Sequence, residues 1–131
     1  MKTLSLTFLT LILSSSAFAC PTLQGNYVQC PDGNTKITVT LGTKVEGGVY
    51  HYSLGEGAPF LPAHGQPIPV ENDGEKGVIT MSCAGNQVNA SAVRSDGVSL
   101  GTVRYTLKDT STLEIQGTGE MSALNGIYRK E

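Results

Sequence analysis

Among its 131 residues the sequence has no tryptophan, only two histidines and only three cysteines, and charged side chains make up 15% of it. Each scarcity closes a route. His51 and His64 lie far apart and in no zinc-type spacing, so no histidine metal centre is predicted. No block of Lys or Arg is present to meet a phosphate backbone, which excludes nucleic acid as an expected partner. No G-x-S-x-G element occurs, and Cys83, in Met81-Ser82-Cys83-Ala84, has no histidine near it in sequence to activate its thiol. Asp32, Asp73 and Asp96 each precede a glycine and read as turn formers. Glu71, Asp73 and Glu75 gather within a few residues but lack the full calcium-loop pattern. The chain is therefore expected to be non-enzymatic, with no cofactor, no metal site and no catalytic residue. Nothing after the first nineteen residues reaches the roughly 18 consecutive apolar residues that a membrane-spanning helix needs.

What is present begins with an address. Lys2, the apolar run Leu4 to Leu13 and the small-x-small signature Ala17-Phe18-Ala19 have the make-up of a cleaved export signal, residues 1–19. Residues 20–131 then suffice for one domain with one core. Without Lys2, eight Lys and Arg face eleven Asp and Glu, scattered along the chain. A secreted or periplasmic location is expected, where disulfides persist. Cys20, Cys30 and Cys83 are an odd number, so one sulfur must differ in fate from the other two. The favoured reading is a short Cys20–Cys30 loop with Cys83 buried and free. The alternative is a lipid anchor on Cys20, the only route by which a membrane enters, leaving Cys30 with Cys83. Spacing alone does not choose the connectivity.

From Gly25 onward the apolar pattern has a period near two, the signature of half-buried strands. Ile37, Val39 and Leu41 share one face; so do Tyr50, Tyr52 and Leu54, then Ile79, Met81 and Cys83, then Val88, Ala90 and Ala92. His51 projects opposite Tyr50 and Tyr52, towards solvent. The small inward residues predict a tapered, tightly filled interior. Between Val98 and Leu107 the inward parity switches, which predicts a bulge near Gly101. Asp-Gly pairs and Gly47-Gly48 punctuate the runs at roughly eight- to twelve-residue spacing, as in an antiparallel meander.

Eight or nine strands leave two exposed edges unless the sheet closes or nearly closes on itself, so an all-β up-and-down barrel is predicted. Leu23-x-Gly25-x-Tyr27 and Leu124-x-Gly126-x-Tyr128 repeat one spacing at the two ends, and they would close the barrel if first and last strands are neighbours. With Gly25-x-Tyr27 near the start, a meander of short strands and an export signal, the chain resembles the lipocalin-like, calycin-type barrels. It is also similar to small exported bacterial proteins that open C-P-x-L-x-G-x-Y, here Cys20 to Tyr27. The resemblance implies a barrel that carries a small apolar ligand. On that reading Tyr50, Tyr52, Met81 and Tyr105 line the barrel mouth, with Phe60 and Leu61 as its gate.

One stretch breaks the meander. Residues 55–69 hold four of the six prolines, Pro59, Pro62, Pro67 and Pro69, together with Phe60, Leu61 and His64. Proline cannot donate to a central ladder, so this stretch must be a loop or an edge. It either folds over the mouth as a plug or presents Phe60 and Leu61 to a partner. A second functional expectation follows: an interaction or protease-inhibitor-type module that binds an envelope or secreted protein through this loop.

Overall fold

The computed structural model describes residues 20–29 and 35–131; the expected signal segment, Cys30 and the Pro31-Asp32-Gly33 turn lie outside the described residues. Ten strands follow in order: β1 (Gly25–Gln29), β2 (Ile37–Glu46), β3 (Val49–Ser53), β4 (Leu61–Pro62), β5 (His64–Asn72), β6 (Glu75–Ala84), β7 (Gln87–Arg94), β8 (Ser99–Asp109), β9 (Thr112–Gly117) and β10 (Gly126–Lys130). A 3-10 helix, Gly119–Leu124, separates the last two. All pairings are antiparallel, and the sheet runs β4-β3-β2-β1-β10-β9-β8-β7-β6-β5.

The expected all-β meander, nearly closed into a barrel, is what the chain forms, and its first and last strands are indeed neighbours. Tyr27 pairs with Lys130 and Val28 with Arg129, while the Glu131 amide donates to the Asn26 carbonyl at 2.8 Å. Both copies of the terminal repeat serve this joint. Tyr27 and Tyr128 are buried, and Gly25 and Gly126 both take positive φ, at 113° and 145°. Leu23 belongs to the core with them, while Leu124 packs against it from the 3-10 helix.

The remaining opening falls where the prolines are. β4 and β5 are the two margins of the sheet, yet only Ala63 separates them in sequence, so one continuous stretch passes from β3 to β6. Ala63 donates to the Tyr50 carbonyl at 2.8 Å, and β4 lies against β6. Closure here is by the covalent chain rather than by a ladder. Pro67 and Pro69 alternate along β5, which puts both missing donors on the same side of that strand. The expected eight or nine strands become ten because this stretch supplies two edges instead of a single loop.

The predicted bulge is also present. Ala92 pairs with Gly101 but Val93 with Ser99, leaving Leu100 extra, and Gly101 has φ 121°. A side chain there would collide with the Thr118 carbonyl, so glycine lets β8 hold the start of the 3-10 helix closely. Thr118 and Thr102 exchange backbone and side-chain hydrogen bonds at 2.9 and 3.1 Å across this contact. At the β5–β6 tip, Asp73 and Gly74 both take positive φ, the form a two-residue hairpin demands. The acids around it occupy an exposed turn.

The cysteines pair differently from expectation. Cys20 bonds to Cys83, with Cα atoms 5.5 Å apart, so Cys83 is neither free nor fully buried. The expected Cys20–Cys30 loop does not form because the Cys20 sulfur is already committed to Cys83, and a sulfur makes one such bond. A Cys20 sulfur committed to Cys83 is not available to a thioether lipid. The bond fits an oxidising compartment outside the cytoplasm.

Candidate functional site

The core is unevenly filled. Around β1, β2, β9 and β10, Leu23, Tyr27, Leu41, Leu113, Ile115 and Tyr128 pack solidly. On the side of β5 to β8 the inward residues are shorter, and a cavity of about 700 Å³ opens between them. That volume is within the range of small-molecule sites, about 300–1,000 Å³. Its floor consists of buried Tyr52, Met81, Ala90, Val103 and Tyr105. Half-buried Leu54, Leu61, Val70, Ile79, Met121 and Leu124 form apolar walls. Exposed Glu56, Glu71, Glu120 and Pro59 ring the mouth.

The expectation of a tightly filled interior is therefore met in only half of the barrel. The short side chains of Ala90 and Ala92 leave the space that the cavity occupies.

Two elements outside the meander complete the walls. The segment after β3 is folded back by the Ser53 hydroxyl, which donates to the carbonyls of Ala58 at 2.8 Å and Gly55 at 3.2 Å. Opposite it, the 3-10 helix is closed by i to i+3 bonds from Met121 to Thr118 and from Asn125 to Ser122. Asn125 holds its end by bonding both backbone groups of Gly117, and the Tyr128 hydroxyl donates to the Leu124 carbonyl at 2.7 Å. Met121 and Leu124, three residues apart, thereby face the cavity.

Of the six residues expected to bind ligand, the structure brings Tyr52, Leu61, Met81 and Tyr105 together on the cavity surface. Tyr50 stacks on Tyr52 with centroids 6.2 Å apart but does not line the space. Phe60 does not line the cavity. Its ring lies 3.0 Å from where a Gly42 side chain would project and 5.0 Å from the Lys44 ammonium, on the outer face of β2, and it is 40% exposed. Gly42 alternates with inward Leu41, so its missing side chain leaves an outward notch that the ring covers. His51 is turned back onto its own strand, with Nδ1 2.9 Å from the Val49 carbonyl and Nε2 4.0 Å from Glu46. Glu56, Glu120, Val70 and Met121 carry no site signal in the sequence, while Leu54 reads only as an inward strand residue and Glu71 only as part of an acidic turn. Only the three-residue spacing of Met121 and Leu124 hints at the helix that carries Glu120 and Met121.

The buried tyrosines differ in how their hydroxyls are satisfied. Tyr52 donates to the Pro21 carbonyl at 2.6 Å, Tyr128 to Leu124, and Tyr27 bonds the Gln24 backbone. Tyr105 is only 4% exposed, yet its hydroxyl has no hydrogen-bond partner among the described residues. It is also not sealed away from solvent, since no buried side-chain oxygen lacks a partner among them. Tyr105 lines the cavity, so a hydroxyl without a partner among the described residues stands within reach of a ligand held there. Burial pushes Tyr105 up to about 12, with nearby Tyr128 adding to the rise, so at neutral pH it is a donor. Burial likewise raises Tyr52, with Tyr50 contributing.

No protein-family model, no curated protein and no solved structure matches this chain. Among the described residues no group of three or more His, Cys, Asp and Glu could hold a metal ion, and no helix is long and apolar enough to cross a membrane.

Proposed function

We propose that this protein is an exported, non-enzymatic carrier that holds a small apolar ligand inside a lipocalin-like barrel, acting in the periplasm or after secretion. The observation that carries the reading is the apolar cavity of about 700 Å³ on one side of an otherwise packed core. Solid packing is the cheap outcome for a barrel of this size, since empty volume forfeits dispersion contacts and costs stability. A retained cavity with Leu54, Ile79 and Met121 half-buried on its walls is the arrangement that occupancy would stabilise. The test is a fluorescence titration of the purified, oxidised protein with the neutral probe N-phenylnaphthylamine, alongside thermal unfolding. Saturable enhancement and a rise in Tm that grows with ligand concentration are expected. A flat titration and an unmoved Tm with every apolar ligand would sink the reading.

A second reading is an interaction or inhibitor module of the envelope that uses residues 55–69, and Phe60 favours it. That ring stands on the outer surface beside Lys44, where a partner protein could cover it. Phe60→Ala separates the two: loss of capture of an envelope protein with probe binding intact supports the interaction module, and the reverse pattern supports the carrier.

A further inference from the structure

The chemical class of the ligand can be narrowed from the inside of the cavity, on the premise that the cavity carries a ligand. Its floor is apolar except at one point. Among the described residues the Tyr105 hydroxyl has no partner, whereas Tyr52, the other tyrosine there, is committed to Pro21; Ser91 is the cavity's remaining hydroxyl-bearing residue and is half-buried on β7. A buried hydroxyl without a partner forfeits a hydrogen bond, so a cavity built this way rewards a ligand that accepts one. The charge of the lining fixes the rest. Among the described residues no Lys, Arg or His lines the cavity, and its ionisable side chains besides the tyrosines are Glu56, Glu71 and Glu120 at the mouth. Cations stand only outside it: Lys76 opposite Glu71 in the β5–β6 register, and Arg94, held by Asp96 at 2.9 Å and within electrostatic range of Glu120. A carboxylate lowered to the floor would be buried beside a single neutral donor, with no counter-charge.

We propose that the cavity selects an uncharged amphiphile that enters with an acceptor oxygen leading, an ester or ketone carbonyl, which takes a hydrogen bond from Tyr105 while its hydrocarbon body fills the space between Leu54, Ile79, Val103 and Met121. Fatty acids are discriminated against, although their chains fit equally well. Tyr105 is thus a specificity-determining residue, and the apolar walls supply most of the affinity.

The experiment displaces N-phenylnaphthylamine from the oxidised protein with methyl laurate, laurate and dodecane, for the natural chain and for Tyr105→Phe. One neutral hydrogen bond predicts methyl laurate binding about three- to tenfold tighter than its apolar body alone accounts for, a margin that Tyr105→Phe removes. Dodecane should bind both proteins equally, which also shows that the variant keeps its cavity. Laurate should bind the natural chain more weakly than its ester. An ester preference that survives in Tyr105→Phe, or laurate binding as tightly as methyl laurate, overturns the assignment while leaving the carrier reading intact. Failure of all three to displace the probe, or failure of the probe itself to bind, overturns the carrier reading and the assignment with it.

Discussion

At the scale of single residues, the four buried tyrosines show how one side-chain type divides its work. Tyr27, Tyr52 and Tyr128 use their hydroxyls to tie the chain ends and the 3-10 helix to the barrel. Tyr52→Phe leaves the buried Pro21 carbonyl without its donor and should cost about 1–2 kcal/mol in urea unfolding, whereas Tyr105→Phe, which breaks no bond among the described residues, should cost less. The tyrosines also set the alkaline limit. Tyr105 keeps its proton up to about 12 in the fold, against 10.0 for an unperturbed tyrosine. Between those values the unfolded chain has lost a proton that the native one retains, so stability present below about pH 10 falls as pH rises towards 12. Tyrosinate absorbance should accordingly show a late step that Tyr105→Phe abolishes. Which tyrosines face inward was legible from strand parity. Which hydroxyl would be left free was not, because that depends on carbonyls supplied by Pro21 and Leu124, distant in sequence or carried by an element without a strand pattern.

At the scale of elements, the joints matter more than the strands. The Cys20–Cys83 bond fastens the segment before β1 to the end of β6 across a sequence separation of 63. Replacing both cysteines with serine should lower stability by about 2–4 kcal/mol, read as a shift of the urea midpoint, and reductant should do the same to the natural chain. Parity placed Cys83 on an inward face, but sequence proximity favoured Cys30 as the partner of Cys20. The fold decided otherwise by bringing the end of β6 to within 5.5 Å, Cα to Cα, of Cys20. The 3-10 helix rests on a comparable joint. Gly101→Ala puts a side chain into the Thr118 carbonyl and forces an unfavourable φ, so about 1–3 kcal/mol of destabilisation is expected, with a weakened N-phenylnaphthylamine signal because the helix forms one cavity wall. The parity switch announced the bulge at Gly101. Nothing in the local pattern announced what packs against it.

At the scale of the whole molecule, the up-and-down order was readable because alternation, turn residues and the repeated L-x-G-x-Y spacing all agreed. Closure through β1 and β10 followed from that agreement. The position of the cavity did not, since it depends on the summed volumes of inward residues from strands far apart in sequence, with Ala90 and Ala92 on one strand and Tyr27, Tyr128 and Leu41 on others. Local stability should follow the same division. Amide hydrogen exchange is expected to be slowest in β7, β8 and the β1–β10 pair, which have ladders on both sides, and fastest in β4 and the first half of β5. Early exchange at the β1–β10 pair would contradict the closure described here.

The prolines of β5 give the barrel a hem instead of a seam. Since no rungs join β4 to β5, those margins can part by bending the backbone around Ala63, at the expense of the bond from Ala63 to the Tyr50 carbonyl and not of a ladder. Of the ways into the interior, this slit is the one whose widening leaves the rest of the weave untouched.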